Sequence, residues 1–183
     1  MAGFDFTKLD ASGNALPASA TSWSCVRDNV TGLIWEVKTN DGGLRDMNNT
    51  YSWYNPDSST NGGSAGTQNG GTCSGGIDCD TASYVAAVNT AGLCGASDWR
   101  MPTVEELRSI VDYAVSYPGS AIDTNYFPNA VNYGFWSASP YAGDTGSAWL
   151  CGYGVVGSDS KSNGSAVRLV RGSYVPPGST VGN

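Results

Sequence analysis

Glycine constrains this chain more than any other residue type, filling 25 of its 183 positions. Glycine loses more backbone freedom on ordering than any other residue. A chain this rich in it, with abundant Ser and Asn besides, orders only if something else buries a large area. The aromatic residues can do so: 6 Trp and 10 Tyr are a payload that disordered chains lack. The expectation is a folded, loop-rich domain of extracellular type. The length suits one domain with a real core. We place it at residues 1–172, with 55–79 as a Gly/Ser-rich surface loop and 173–183 as a flexible C-terminal tail.

Charge and the missing residue types exclude several functions. Basic residues number 9 and acidic residues 16, for a formal net charge of −7. Phosphate-backbone binding needs a basic stripe, so no nucleic-acid partner is expected, and heparin-like polyanions are disfavoured for the same reason. Histidine is absent, which removes Ser-His-Asp and Cys-His chemistry and every zinc site that needs imidazole. No run of about 20 apolar residues reads as a membrane span. Met1-Ala2-Gly3 reads as an artificial start, so we expect a longer precursor with an export signal or a membrane anchor, and an outer-membrane-anchored, cell-surface location.

The cysteines are Cys25, Cys73, Cys79, Cys94 and Cys151, with no zinc-like C-x2-C pair. Cys73 and Cys79 bracket a short interval with two glycines, which makes ring closure easy. Loop-closure entropy gives about 2 kcal/mol for that ring and about 4 kcal/mol for one from Cys25 to Cys94. We therefore expect Cys73–Cys79 and Cys25–Cys94 disulfides and a free Cys151, as suits an oxidising compartment.

Along the chain, Phe4 to Leu9 alternates like a strand and is followed by a Ser12-Gly13-Asn14 turn. Cys25-Val26-Arg27-Asp28 and Leu33 to Val37 read as strands around the turn Asn29–Gly32, and Tyr51–Tyr54 as a short aromatic strand. Asp80 is placed to cap a helix carrying Tyr84, Val85 and Val88 on one face, with Gly92 near its end. Thr103-Val104-Glu105-Glu106 is a capping box, in which Thr103 and Glu106 satisfy each other's unpaired N–H groups. The stripe Val104, Leu107, Ile110, Val111 then reads as core packing. Strands return at Phe135–Ser139, around Trp149–Tyr153, and at Ala166–Val170. The class is α+β: two helices with a small, mostly antiparallel sheet and long loops.

No catalytic or metal constellation emerges. Glu105 and Glu106 diverge by roughly 100° on a helix, so they cannot flank one bond as glycosidase carboxylates do. Asp123-Thr124-Asn125 is better read as an Asx turn than as calcium ligands. Cys151 has no nearby base to raise its thiolate fraction. We expect no enzyme activity, no cofactor and no bound metal.

Several segments together resemble a known family. Cys25 to Glu36 resembles the opening of the Lcl-type C-terminal domain family, named for a collagen-like bacterial adhesin. Gly92-Leu93-Cys94-Gly95, Asp98-Trp99-Arg100-Met101-Pro102-Thr103 and Glu106-Leu107 resemble its centre. Phe135–Ser139 and Val167–Arg171 resemble its end. The resemblance implies a C-type-lectin-like fold and a displayed binding module, and it agrees with a Cys25–Cys94 pair. It also implies that the chain is a candidate variable protein of a diversity-generating retroelement. In such a system AAY codons become NNY, which cannot encode Trp, Gln, Lys, Glu or Met. Within residues 141–165 only Trp149 and Lys161 break that rule.

The ligand face is therefore expected within 141–165. Its small polar residues and Tyr suit an adaptable paratope, and loops on rigid scaffolds carry function. Strand alternation would turn Trp149, Cys151 and Tyr153 inward. The face itself would comprise Tyr141, Gly143, Asp144, Thr145, Ser147, Leu150, Gly152, Gly154, Val155, Ser158, Asp159, Ser160, Ser162, Asn163 and Ser165. A protein or glycan ligand on another cell or surface is the expected partner. The alternatives are a calcium-dependent carbohydrate-binding lectin, for which the Glu-Pro-Asn sugar motif is missing, and an enzyme on a formylglycine-generating-type scaffold.

Overall fold

The computed structural model describes residues 3–115, 121–131, 133–152 and 155–179. Two small antiparallel sheets and two helices make up an α+β domain. The first sheet has the order β1-β2-β3-β7, from β1 (Phe6–Leu9), β2 (Cys25–Asp28), β3 (Ile34–Glu36) and β7 (Val170–Arg171). The second has the order β4-β5-β6, from β4 (Phe135–Pro140), β5 (Ser147–Gly152) and β6 (Val155–Ser160). One expected sheet is thus two. The segment Ser165 to Val170, buried throughout, runs between them. Trp136 N donates to Ala166 O at one end, and Arg100 and Val170 exchange backbone hydrogen bonds at the other. That pairing limits the last strand to two residues instead of the five expected.

Local sequence explains the helices. The first, α1 (Thr81–Ala91), begins where Asp80 accepts Ser83 N at 2.8 Å. It ends at Gly92, whose φ of 66° is left-handed and costs glycine little. Tyr84 and Val88 form its buried face. The second, α2 (Val104–Ser109), carries the complete capping box of Thr103 and Glu106. Glu106 also takes both Arg100 terminal nitrogens, at 2.8 and 2.7 Å. Leu107 and Ile110 are buried as the stripe requires.

Two disulfides close as expected, Cys25–Cys94 and Cys73–Cys79, and Cys151 is free and buried. One core cluster gathers Leu9, Tyr51, Trp53, Tyr84, Trp99 and Trp136 around Cys25–Cys94. The other packs Phe6, Trp35, Leu107, Ile110, Phe127 and Cys151 under α2. Beyond β7, Tyr174 packs against this second cluster and Val175 N donates to Thr31 O.

The aromatic segment Tyr51–Tyr54 forms isolated bridges rather than a strand, because its partners come from four different places: Ser165, Asp80, Gly66 and, through Thr50, Thr72. Residues 55–79 contain neither helix nor strand. They are held against the domain at Gly66, where an added Cβ would lie 2.1 Å from Trp53 O. Only glycine allows that approach.

Candidate functional site

The predicted face falls on the β5–β6 hairpin and its flanking loops. The two strands pair over their whole length, from Ser147↔Ser160 to Gly152↔Val155. β6 is a strand that the sequence did not announce: Val-Val-Gly-Ser-Asp-Ser has weak strand propensity, and β5 imposes its conformation by pairing. It is also the outer strand of its sheet, so its side chains are largely half-buried or exposed.

β4 supports the hairpin through an irregular register. It pairs Trp136 with Leu150 and Pro140 with Ala148, so two extra residues bulge on β4. Several of the bulged groups find partners. Ser137 Oγ donates to Trp149 O at 2.8 Å, Trp53 Nε1 donates to Ser137 O at 2.9 Å, and Ala138 N donates to Pro102 O at 2.7 Å. A bulge tied at these points to the core and to the chain before α2 is a firm base for the hairpin.

The alternation along β5 is correct in period, but its two sides do not divide into a wet and a dry one. Leu150, expected to face out, is half-buried and packs against the first core cluster beside fully buried Ala148, over the space left by Gly134. Trp149, expected inside, is half-buried and meets the edge of Tyr141 with ring centroids 4.9 Å apart. Cys151 shares that side and is buried, as expected, in the second cluster. The reading failed because both faces of β5 are covered, one by the aromatic core and the other by α2. Burial pushes the Cys151 thiol above its ordinary value, with Arg108 opposing.

The other predicted residues divide by location. In the 141–147 turn, Tyr141 N donates to Ser147 O, and Gly143, Asp144 and Thr145 are exposed. Asp144 accepts Gly146 N at 3.0 Å and Ser147 Oγ at 2.8 Å, and these bonds hold its carboxyl below the usual aspartate value. On the hairpin, Gly152 is half-buried, Val155 is 67% exposed and Ser158 is exposed. Nothing lies within 4 Å of a Cβ built on Gly157. Asp159 accepts Ser160 N and Asn163 Nδ2, while Ser160 and Ser162 hydroxyls are 2.8 Å apart. Ser165 is buried and exchanges two backbone hydrogen bonds with Tyr51, so it is scaffold. Gly154 and Tyr153 lie outside the described residues.

Sequence reasoning missed Lys161. It is 1% exposed and reaches back to residues 61–64. The one available signal was that it breaks the NNY pattern together with Trp149.

Among the described residues no group of three or more Cys, Asp or Glu side chains could hold a metal ion. The Asx turn at Asp123 forms as read, with Asn125 N donating to its carboxylate.

A model of the Lcl C-terminal domain matches residues 24–171. The chain belongs to the Lcl C-terminal domain family. The matched span starts just before the β2 cysteine and ends in β7, so it takes in both helices, the whole β4-β5-β6 sheet with its hairpin, and every strand of the first sheet except β1. No match was found among curated proteins or among solved structures.

Proposed function

We propose that this Lcl-family domain is a non-catalytic binding module of C-type-lectin-like fold, displayed on a cell surface as an adhesin or receptor. Its ligand face is the β5–β6 hairpin with the turn at 141–147 and the loop at 158–163. The observation that carries the reading is the division of labour within one short segment. Ala148, Cys151, Lys161 and Ser165 are buried and fix the backbone. Asp144, Thr145, Val155, Ser158, Ser162 and Asn163 are exposed and lie outside both core clusters. A rigid scaffold presenting replaceable side chains has the physical form of a paratope. Diversification of those positions by a retroelement fits the same division, since Lys161 is a buried residue and Trp149 a half-buried one.

The face carries Asp144 and Asp159, and its lysine is turned inward. A protein or glycan surface offering cations or hydrogen-bond donors suits it better than a polyanion.

Two measurements test the reading. Sequencing the gene across a population of source cells should find substitutions confined to the exposed positions of 141–165, with Trp149, Cys151 and Lys161 fixed. An invariant segment removes the retroelement idea and leaves a dedicated adhesin. Flow cytometry of labelled protein on a panel of intact cells should then show binding that Asp144→Ala, Val155→Ala, Ser158→Ala and Asn163→Ala together abolish at an unchanged melting temperature. Undiminished binding by that variant places the ligand elsewhere.

A further inference from the structure

Lys8, Lys38 and Lys161 are the lysines of this chain, and all are buried, at 7, 2 and 1% exposure. Each ammonium sits over an aromatic ring: Trp23 at 3.8 Å, Tyr84 at 4.7 Å and Trp53 at 4.3 Å from the centroid. Lys38 is paired with Glu36. Lys161 has no carboxylate partner within 4 Å among the described residues and is held otherwise.

Lys161 Nζ donates to Asn61 O at 2.9 Å, Ser64 O at 2.8 Å and Thr145 O at 2.7 Å. An ammonium has three N–H donors, so all are used. The acceptors come from two loops, 100, 97 and 16 residues away in sequence. The indole face of Trp53 closes the remaining side. The backbone of Lys161 is pinned as well, donating to Gly146 O and accepting from Trp53 N. Three carbonyls and a π-face around one positive charge form a cation cage that the chain fills with its own side chain. Around it the loops touch directly. A Cβ on Gly62 would lie 2.6 Å from Pro140, and one on Gly63 would lie 3.3 Å from Thr145 Cγ2.

We propose that Lys161 is the positioning residue of the ligand face, its ammonium doing the cross-linking that a bound cation does elsewhere. It locks loop 61–64 to the 141–147 turn, so the face extends beyond 141–165 to include Gly62, Gly63 and Ser64, and its shape is independent of divalent metal. The functional meaning rests on the binding-module reading; the clamp does not.

The test needs no ligand. Hydrogen exchange is followed in loops 61–66 and 143–147, with α1 as internal reference. In Lys161→Met, exchange in both loops should rise at least tenfold while α1 is unchanged. In Lys161→Ala, ammonium chloride at about 100 mM should restore much of the protection, and tetramethylammonium, which has no N–H to donate, should not. EDTA should leave the wild-type pattern as it is. Unchanged exchange in Lys161→Met overturns the proposal, as does equal rescue by both salts, or loss of loop protection in EDTA. Should the variants fail to fold, amine-reactive footprinting of the wild type decides: Lys161 must label at least tenfold more slowly than in the unfolded chain, and equal labelling overturns the clamp. A confirmed clamp with unaltered cell binding by the four-alanine variant would refute the face and leave the clamp standing.

Discussion

Breaking the buried pair Glu36–Lys38 from either side should give unequal results. Glu36 is 0% exposed and Lys38 2%. Glu36 Oε1 accepts Lys38 Nζ at 2.7 Å and Tyr84 OH at 2.6 Å, and Oε2 accepts Leu169 N at 3.0 Å. Arg168, 1% exposed, donates to the Glu36 carbonyl at 3.0 Å. The carboxylate thus pairs directly with Lys38, and its charge also favours the buried Arg168 guanidinium, which binds the main-chain carbonyl of the same residue. Burial by itself would raise the Glu36 pKa, but the Lys38 charge and these hydrogen bonds outweigh it and hold it below the usual glutamate value. Glu36→Gln keeps the shape and leaves both cations uncompensated; Lys38→Met leaves the carboxylate with one cation. Removing the shared partner of a buried pair costs about 3–5 kcal/mol, whereas losing one hydrogen bond to a charged group costs about 1.5–3 kcal/mol. At roughly 2–4 °C per kcal/mol for a domain of this size, Glu36→Gln should lower the melting temperature by roughly 6–20 °C and Lys38→Met by roughly 3–12 °C. The double variant restores the wild-type excess of one buried cation and should be more stable than the sum of the singles by at least ~1.4 kcal/mol. Urea unfolding at pH 7 with intact disulfides measures all four proteins. Additive effects, or a Lys38→Met variant worse than Glu36→Gln, would refute the reasoning.

The disulfides span 69 and 6 residues, so replacing Cys25 and Cys94 by Ala should cost about 4 kcal/mol, and replacing Cys73 and Cys79 about 2 kcal/mol; thermal unfolding of the two variants checks the ratio. Burial alone would raise the Glu106 pKa, but hydrogen bonds from Arg100 and Thr103 hold it below its ordinary 4.5. Its stabilising contribution is therefore complete above the unfolded value and lost as pH falls through the folded one, and Glu106→Gln should flatten the decline in melting temperature below about pH 5. Gly66→Ala should cost more than about 2 kcal/mol, from a left-handed φ of 87° and the clash with Trp53 O. Gly157→Ala, on the open face, should stay within about 0.5 kcal/mol by the same melts.

Much of the framework was legible because its causes are local. Asp80 and Thr103 cap residues three positions away. The β2–β3 turn closes on Asp28, whose carboxylate accepts Val30 N and Thr31 Oγ1. The candidate face was legible only in outline. Its segment folds as a hairpin with flanking loops, but Leu150 and Trp149, expected on opposite wet and dry sides, are both half-buried, and Ser165, counted as surface, is buried. A two-residue period says that neighbours part, and it does not say which side is wet when helix and core cover both.

The sequence alone determined the α+β class, the helix caps, the disulfide pairing and the family, since each rests on neighbouring residues, a motif or the entropy of a closed ring. Tertiary structure alone decided that β6 is a strand, that three lysines turn inward, and that Lys161 joins two loops. The reason is physical. A long, flexible side chain carries no mark of its environment in the sequence, and the acceptors of Lys161 lie up to 100 residues away. Only the folded chain brings carbonyls and an indole face together closely enough to make burying an ammonium favourable.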